Sequence, residues 1–337
     1  MLYVTTRNSA VTYTSRFTLK EESAPDGGLY IPAEYPRYSE DQISSLRGKT
    51  FGETVADILN LFYPNQLTGW DVDFCIGRNV FRLVSMNHRI AVAEMWHNLG
   101  DELFYITRQL YNKILATSST VKEPTSWFSI TATVAILFAL YGELMKAEII
   151  HPQQKIDISM ADHDFSMTMA AWYAREMGLP IGTIIYTCEE NCPIWDLIYR
   201  GSFVPSVDGV VQNGVERLIC AVLGQSESQS FVDKCQARQT YFVDEELQHK
   251  FVDGMFCAVP GASRASNVIS SIYRSNQYLL DPYTALCHGG MQDYRARNGI
   301  SRLTLMLSVE NPMRYRDEII AATGVSEELL FAQIKQS

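Results

Sequence analysis

The stretch from Lys155 to Thr187 constrains the fold of this chain more than any other. Lys155-Ile-Asp-Ile-Ser-Met reads as a short strand, residues 165–178 as a helix closed by Gly178, and Pro180-Ile-Gly-Thr-Ile-Ile-Tyr-Thr as a second strand. Strand, helix and strand in so short a span set two parallel strands side by side, because a parallel pair needs a crossover connection. Loops at the carboxyl ends of such strands form the ligand edge of an α/β sheet. Asp162, His163 and Asp164 stand in the loop after the first strand.

The remaining chain reads as the same class. Ile43, Leu46, Phe51, Val55, Ile58, Leu59 and Phe62 recur at mostly helical spacing over 40–63, and further helices are expected at 87–100 and 107–117. The run 126–144 is apolar on most faces, which predicts a buried helix. Helices at 212–224, 244–254, 266–278 and 313–322 and strands at 257–260 and 302–308 complete an α/β pattern. His88 and His97 fall on the expected 87–100 helix as interface or surface histidines, and His288-Gly-Gly reads as a helix interruption.

Charge excludes some partners. The 337 residues carry 28 basic and 38 acidic side chains, a formal charge of −10, which disfavours nucleic acid and anionic membrane surfaces. The longest apolar stretch, 130–141, is shorter than the about 20 residues of a membrane span. Residues 1–16 lack the apolar core of a signal peptide. The 7 cysteines, odd in number and scattered, read as reduced thiols of a cytoplasmic protein. Cys188 and Cys192 form a C-x3-C pair that is two ligands short of a zinc site, so no metal is assigned.

Four blocks then carry a resemblance. Ala24-Pro-Asp-Gly-Gly-Leu-Tyr-Ile-Pro, Gly100-Asp-Glu-Leu-Phe, Trp172-Tyr-Ala-Arg-Glu-Met-Gly-Leu-Pro-Ile and Leu279-Leu-Asp-Pro-Tyr-Thr-Ala resemble, in order, blocks of the threonine synthases. These are pyridoxal-phosphate (PLP) enzymes of the tryptophan-synthase-β fold, fold type II. The resemblance implies a parallel-sheet core with helices on both faces. It also implies an N-terminal region over 1–82 and an α/β core over 83–337, with the small subdomain largely deleted near 114–126.

The departures from the family fall on its chemistry. PLP is held by a lysine through its aldehyde, and in register the lysine position is Asn112, with Lys113 adjacent. The family's glycine-rich phosphate loop becomes Asp162-His-Asp-Phe-Ser, where glycines that let backbone N–H groups approach are replaced and carboxylates appear. The hydroxyl partner of the pyridine nitrogen falls on Val309, beside Ser308. The resemblance gathers Tyr105, Arg108, Asn112, Lys113, Cys188, Glu189 and Tyr283 around the same cleft as Asp162, His163 and Asp164.

The expectation is therefore a threonine synthase homologue without PLP and without the family's activity. Its old cleft would serve a PLP-independent enzyme, or a binder, of a small cationic or amino-acid-derived metabolite. There His163, flanked by Asp162 and Asp164 and helped by Asn112, would act in acid–base chemistry. Two alternatives stay open: a non-catalytic pseudoenzyme that binds a partner, and a PLP lyase that uses Lys113. A metal at Asp162-His163-Asp164 would need further ligands. Helices uncovered by the deletion would leave an apolar patch, which predicts a homodimer or a covering partner protein.

Overall fold

The computed structural model describes residues 1–64, 67–77, 81–96, 102–115 and 122–336. Strands β1 (Leu2–Thr5), β2 (Tyr13–Thr14) and β3 (Tyr30–Pro32) form a small antiparallel sheet with β1 in the middle. The central sheet has six strands: β4 (Arg82–Asn87), β5 (Ile90–Glu94), β6 (Ile156–Ala161), β7 (Ile181–Thr187), β10 (Met255–Ala258) and β11 (Thr304–Ser308). Between β7 and β10 the short β8 (Ser202–Phe203) and β9 (Tyr241–Phe242) pair antiparallel.

The central order is β10-β7-β6-β11-β5-β4. Every neighbouring pair is parallel except the edge hairpin β4–β5. The expected strand–helix–strand unit is β6, the helix Ser166–Glu176 and β7, with Ile158 opposite Ile184. The class is α/β, as read from the sequence.

The helix Ser126–Lys146 is the buried helix of the sequence reading. By length and composition it could cross a membrane, with a mean hydropathy of 1.7, but 89% of that apolar window is buried inside the protein. It packs against the helices Phe51–Phe62 and Ser166–Glu176. The 40–63 helical pattern is two helices, Glu40–Ser45 and Phe51–Phe62, because Thr50 and Glu53 form a capping box that starts the second one anew. One apolar cluster joins Tyr3, Leu59, Phe138, Met160, Ile184 and Leu305, and so reaches across residue 82.

Two local expectations are corrected. Residues 87–94 are the end of β4, the turn and β5 of the β4–β5 hairpin, with exposed His88 in the turn and the Asn87 side chain accepting from Arg89 N at 2.8 Å. A short strand buried on both faces gives a continuous apolar run that periodicity does not separate from a buried helix. His97 lies outside the described residues, as do Gly100 and Asp101 of the second family block. The segment at His288 is no interruption, since the helix Pro282–Asn298 runs through it. A Cβ on Gly290 would stand 2.2 Å from Thr187 Cγ2, so glycine there lets the helix lie close against β7.

Candidate functional site

β6 and β7 end side by side, and their following loops open a cavity of about 540 Å³. Asp162, His163, Cys188, Glu189, Cys192 and Tyr283 are among its walls. A smaller cavity of about 240 Å³ shares Asp162, His163 and Tyr283 and adds Asp164, Val309 and Glu310. Among the described residues no lysine or arginine lines either one, whereas Asp162, Asp164, Glu189, Glu190, Asp196 and Glu310 do. Such walls favour a positively charged guest over an anion.

The loop after β6 spends its carboxylates on its own helix. Phe165, in the left-handed region at φ 64°, turns the chain into the helix Ser166–Glu176. Asp162 Oδ2 accepts from Thr168 N at 2.8 Å and from Thr168 Oγ1 at 3.1 Å, while Asp164 Oδ1 accepts from Ser166 N at 3.0 Å. First-turn amides have no partner within a helix and are the donors an anion would use. Here side chains already hold two of them. Asp162 is buried; burial foremost, then the charge of Asp164, pushes its carboxyl group well above the usual carboxylate range.

His163 is exposed beside this loop. Its ring stands edge-to-face on Tyr283 with centroids 5.1 Å apart, and its backbone carbonyl accepts from Gln212 Nε2 at 3.1 Å. Both rings therefore face the cavity from opposite elements, one on the β6 loop and one in the helix Pro282–Asn298.

A third feature is sulfur. Cys188 follows β7, Cys192 precedes the helix Pro193–Arg200, and Cys257 lies in the neighbouring strand β10. Asn191, at φ 64°, turns the chain so that Cys192 returns towards Cys188. The three Sγ atoms lie within 4.8 Å of one another, and Cys188 Sγ is 3.8 Å from Cys257 Sγ. The Cys192 thiol is held below its ordinary range, first by a hydrogen bond from Cys188 and next by one from Cys257. The C-x3-C pair was visible in the sequence. Cys257 was not, because only the β7–β10 pairing brings it there.

The structure does not bring the remaining expected residues to this cleft. Asn112 clamps the backbone of Lys122: its Oδ1 accepts from Lys122 N and its Nδ2 donates to Lys122 O, both at 2.9 Å. Arg108 faces Glu123 at 3.5 Å, and Lys113 Nζ lies 2.8 Å from Asp71 Oδ1. Tyr105 shares their helix, Glu102–Leu115. None of these four residues lines either cavity. The Asn112, Arg108 and Lys113 side chains thus meet that helix's own neighbours, the 122–123 segment and the helix Gly69–Ile76.

PLP, which a fold type II chain implies, does not fit this donor set. Among the described residues the walls offer no lysine, and Lys113 is engaged with Asp71. Two amides of the anion-binding helix start are held by carboxylates. Ser308, beside the position of the pyridine-nitrogen partner, donates to buried Asp281 at 3.1 Å and accepts from Trp96 Nε1 at 3.1 Å. Val309 lines the smaller cavity in its place.

Comparison with known proteins gives these features a family setting. Residues 2–79 match the family described as threonine synthase N terminus. The human protein threonine synthase-like 1 is 23% identical over 190 residues, covering 52% of this chain and 25% of that protein. The mouse protein of the same description is 26% identical over 237 residues, covering 64% and 30%. Threonine synthase of Pseudomonas aeruginosa is 23% identical over 194 residues, covering 52% and 39%. The chain thus spans about a quarter to two fifths of these relatives. PLP-bound threonine synthase from Brucella melitensis superposes with a TM-score of 0.82 at 18% identity, covering 96% of this chain and 92% of that one. The yeast threonine synthase structure gives 0.77 at 15%, covering 97% and 90%. The fold is that of the threonine synthases, a fold type II architecture, and the chain resembles them in sequence at its N-terminal end.

Proposed function

We propose that this chain, built on the threonine synthase fold, binds a small cationic, amino-acid-derived metabolite at the strand-end cavity and does not use PLP there. The observation that carries the reading is the pairing of Asp162 with Thr168 and of Asp164 with Ser166. It occupies two first-turn amides beside a cavity whose described walls hold carboxylates and no lysine or arginine. A protonated amine suits such walls, with Glu189 and Glu190 as its counter-charges. The Tyr283 ring is available for a cation–π contact.

His163 is the group that would move a proton in this reading. It is exposed, lines both cavities and is held in place by its edge-to-face contact with Tyr283. A neutral imidazole at that position could accept a proton from a bound ammonium or an adjacent carbon acid. The other named residues bind or orient: Glu189 by charge and Tyr283 by its ring face. Asn112, Arg108 and Lys113 act in the scaffold, fixing the 122–123 segment and the Gly69–Ile76 helix.

The test is a thermal-shift panel of small diamines, amino acids and amino-acid amides against phosphorylated anions of similar size. Stabilisation by amines, weakened in Glu189→Gln and Tyr283→Ala, is expected. Stabilisation by the phosphorylated set alone would overturn the reading. Turnover of a ligand found this way, lost in His163→Ala, would make the protein an enzyme.

A further inference from the structure

The cysteine cluster goes beyond that reading. Three thiols from three separate elements converge on one point: the end of β7, the start of the helix Pro193–Arg200, and β10. Their common approach is fixed by the backbone. Cys188 N donates to Ala258 O at 3.1 Å, which ties the ends of β7 and β10 together. Tyr199 Oη accepts from Cys257 N and donates to Cys257 O, both at 3.1 Å.

The spacing suits a tetrahedral thiolate site. Zn–S bonds of about 2.3 Å at tetrahedral angles put neighbouring sulfurs about 3.8 Å apart. Cys188 Sγ and Cys257 Sγ are 3.8 Å apart, and no pair in the trio exceeds 4.8 Å. Cys257 and Cys192 are buried and Cys188 is half-buried. Cys188 and Cys192 line the larger cavity, so one side of the trio is open.

We propose that Cys188, Cys192 and Cys257 bind one zinc ion in the cavity wall, with the fourth coordination position open to the cavity. Three protein ligands with an open fourth position are the arrangement of zinc sites that act on a bound water or substrate, whereas closed structural sites use four. Soft thiolates select a thiophilic cation over magnesium or calcium. Binding one zinc ion on three thiolates releases the thiol protons to solvent, so affinity rises with pH.

Cobalt(II) is the probe, added to reduced protein with no metabolite present, then displaced by zinc(II). The expected result is one equivalent of cobalt per chain, with thiolate charge-transfer absorbance in the near ultraviolet and visible bands of a tetrahedral ion. Cys188→Ser and Cys257→Ser should each weaken binding by more than the about 10–100-fold that follows loss of a supporting residue. Cys235→Ser, in the helix Gln225–Gln236 outside the trio, should leave binding unchanged. If Cys257→Ser does not fold, the half-buried Cys188 position decides alone. Absence of the thiolate band in the unaltered protein, or its persistence in Cys188→Ser, overturns the proposal. Because this titration contains no metabolite, its failure would leave the amine reading standing, and failure of the amine panel would leave the zinc site standing.

Discussion

Asp162 Oδ2 lies 2.8 Å from the backbone nitrogen of Thr168, in the first turn of the helix Ser166–Glu176, where a helix start can bind an anion. The carboxyl group is covalently part of the loop, so it competes for that amide at a very high local concentration. In the proposed exclusion of phosphate, charge is the weaker part, because burial and Asp164 make Asp162 hard to ionise. The stronger part is that the donor is already in use.

Replacing Asp162 tests this directly. Asp162→Ala leaves Thr168 N–H and its hydroxyl without their acceptor and should cost about 1–3 kcal/mol in urea denaturation. Asp162→Asn keeps an acceptor oxygen and should cost less. The folded carboxyl group titrates above the unfolded one, so the folded state binds more protons in between, and this group's contribution to stability declines as pH rises above about 4. The Asn variant should lose that decline.

His288 should govern acid sensitivity. It is buried, its Nδ1 has no hydrogen-bond partner, and burial first, then Arg295 and Arg264, lower its pKa to about 4. The unfolded chain binds the proton near pH 6.5 and the folded chain does not, so stability falls as pH drops through that window. At about 1.4 kcal/mol per pKa unit the total is about 3 kcal/mol. His288→Leu should flatten denaturation midpoints between pH 6.5 and 4; an unchanged slope would assign the sensitivity to another group.

Gly290→Ala should be the costlier of two neighbouring changes. Its Cβ would meet Thr187 Cγ2 at 2.2 Å and Ala258 Cβ at 3.1 Å, whereas Gly289→Ala meets Pro260 Cβ at 3.0 Å. Overpacking of this kind costs about 1–3 kcal/mol, against a gain of about 1 kcal/mol in helix propensity. Thermal melts should rank Gly290→Ala below Gly289→Ala. The Gly290 change presses on the end of β7, so it should also weaken ligand responses at the adjoining cavity.

Lys113→Ala should behave as a scaffold change. The Lys113–Asp71 pair joins the helices Glu102–Leu115 and Gly69–Ile76 at 2.8 Å, with both side chains partly in solvent. A small loss of stability and unaltered cavity binding are expected. Loss of ligand binding would return Lys113 to the site.

The sequence was most informative where chemistry is local. The βαβ unit, the apolar helix Ser126–Lys146 and the position of Asp162, His163 and Asp164 after β6 follow from periodicity and loop placement. Three other features depend on contacts that no local pattern contains. Ile90–Glu94 is a strand because β11 pairs with it. Asn112 turns to Lys122 because the chain beyond the helix folds back there. Cys257 joins Cys188 because β10 lies against β7. The same limit applies to His288-Gly-Gly, whose glycines answer to β7 and Pro260 rather than to their own helix.

The proposal that bears most on function is that this cavity does not use PLP. The most direct measurement is visible absorbance of purified protein incubated with PLP and then dialysed, beside a Lys113→Ala variant treated identically. The account predicts no retained cofactor absorbance in either protein. A band characteristic of lysine-bound PLP that survives dialysis and vanishes in Lys113→Ala would contradict it.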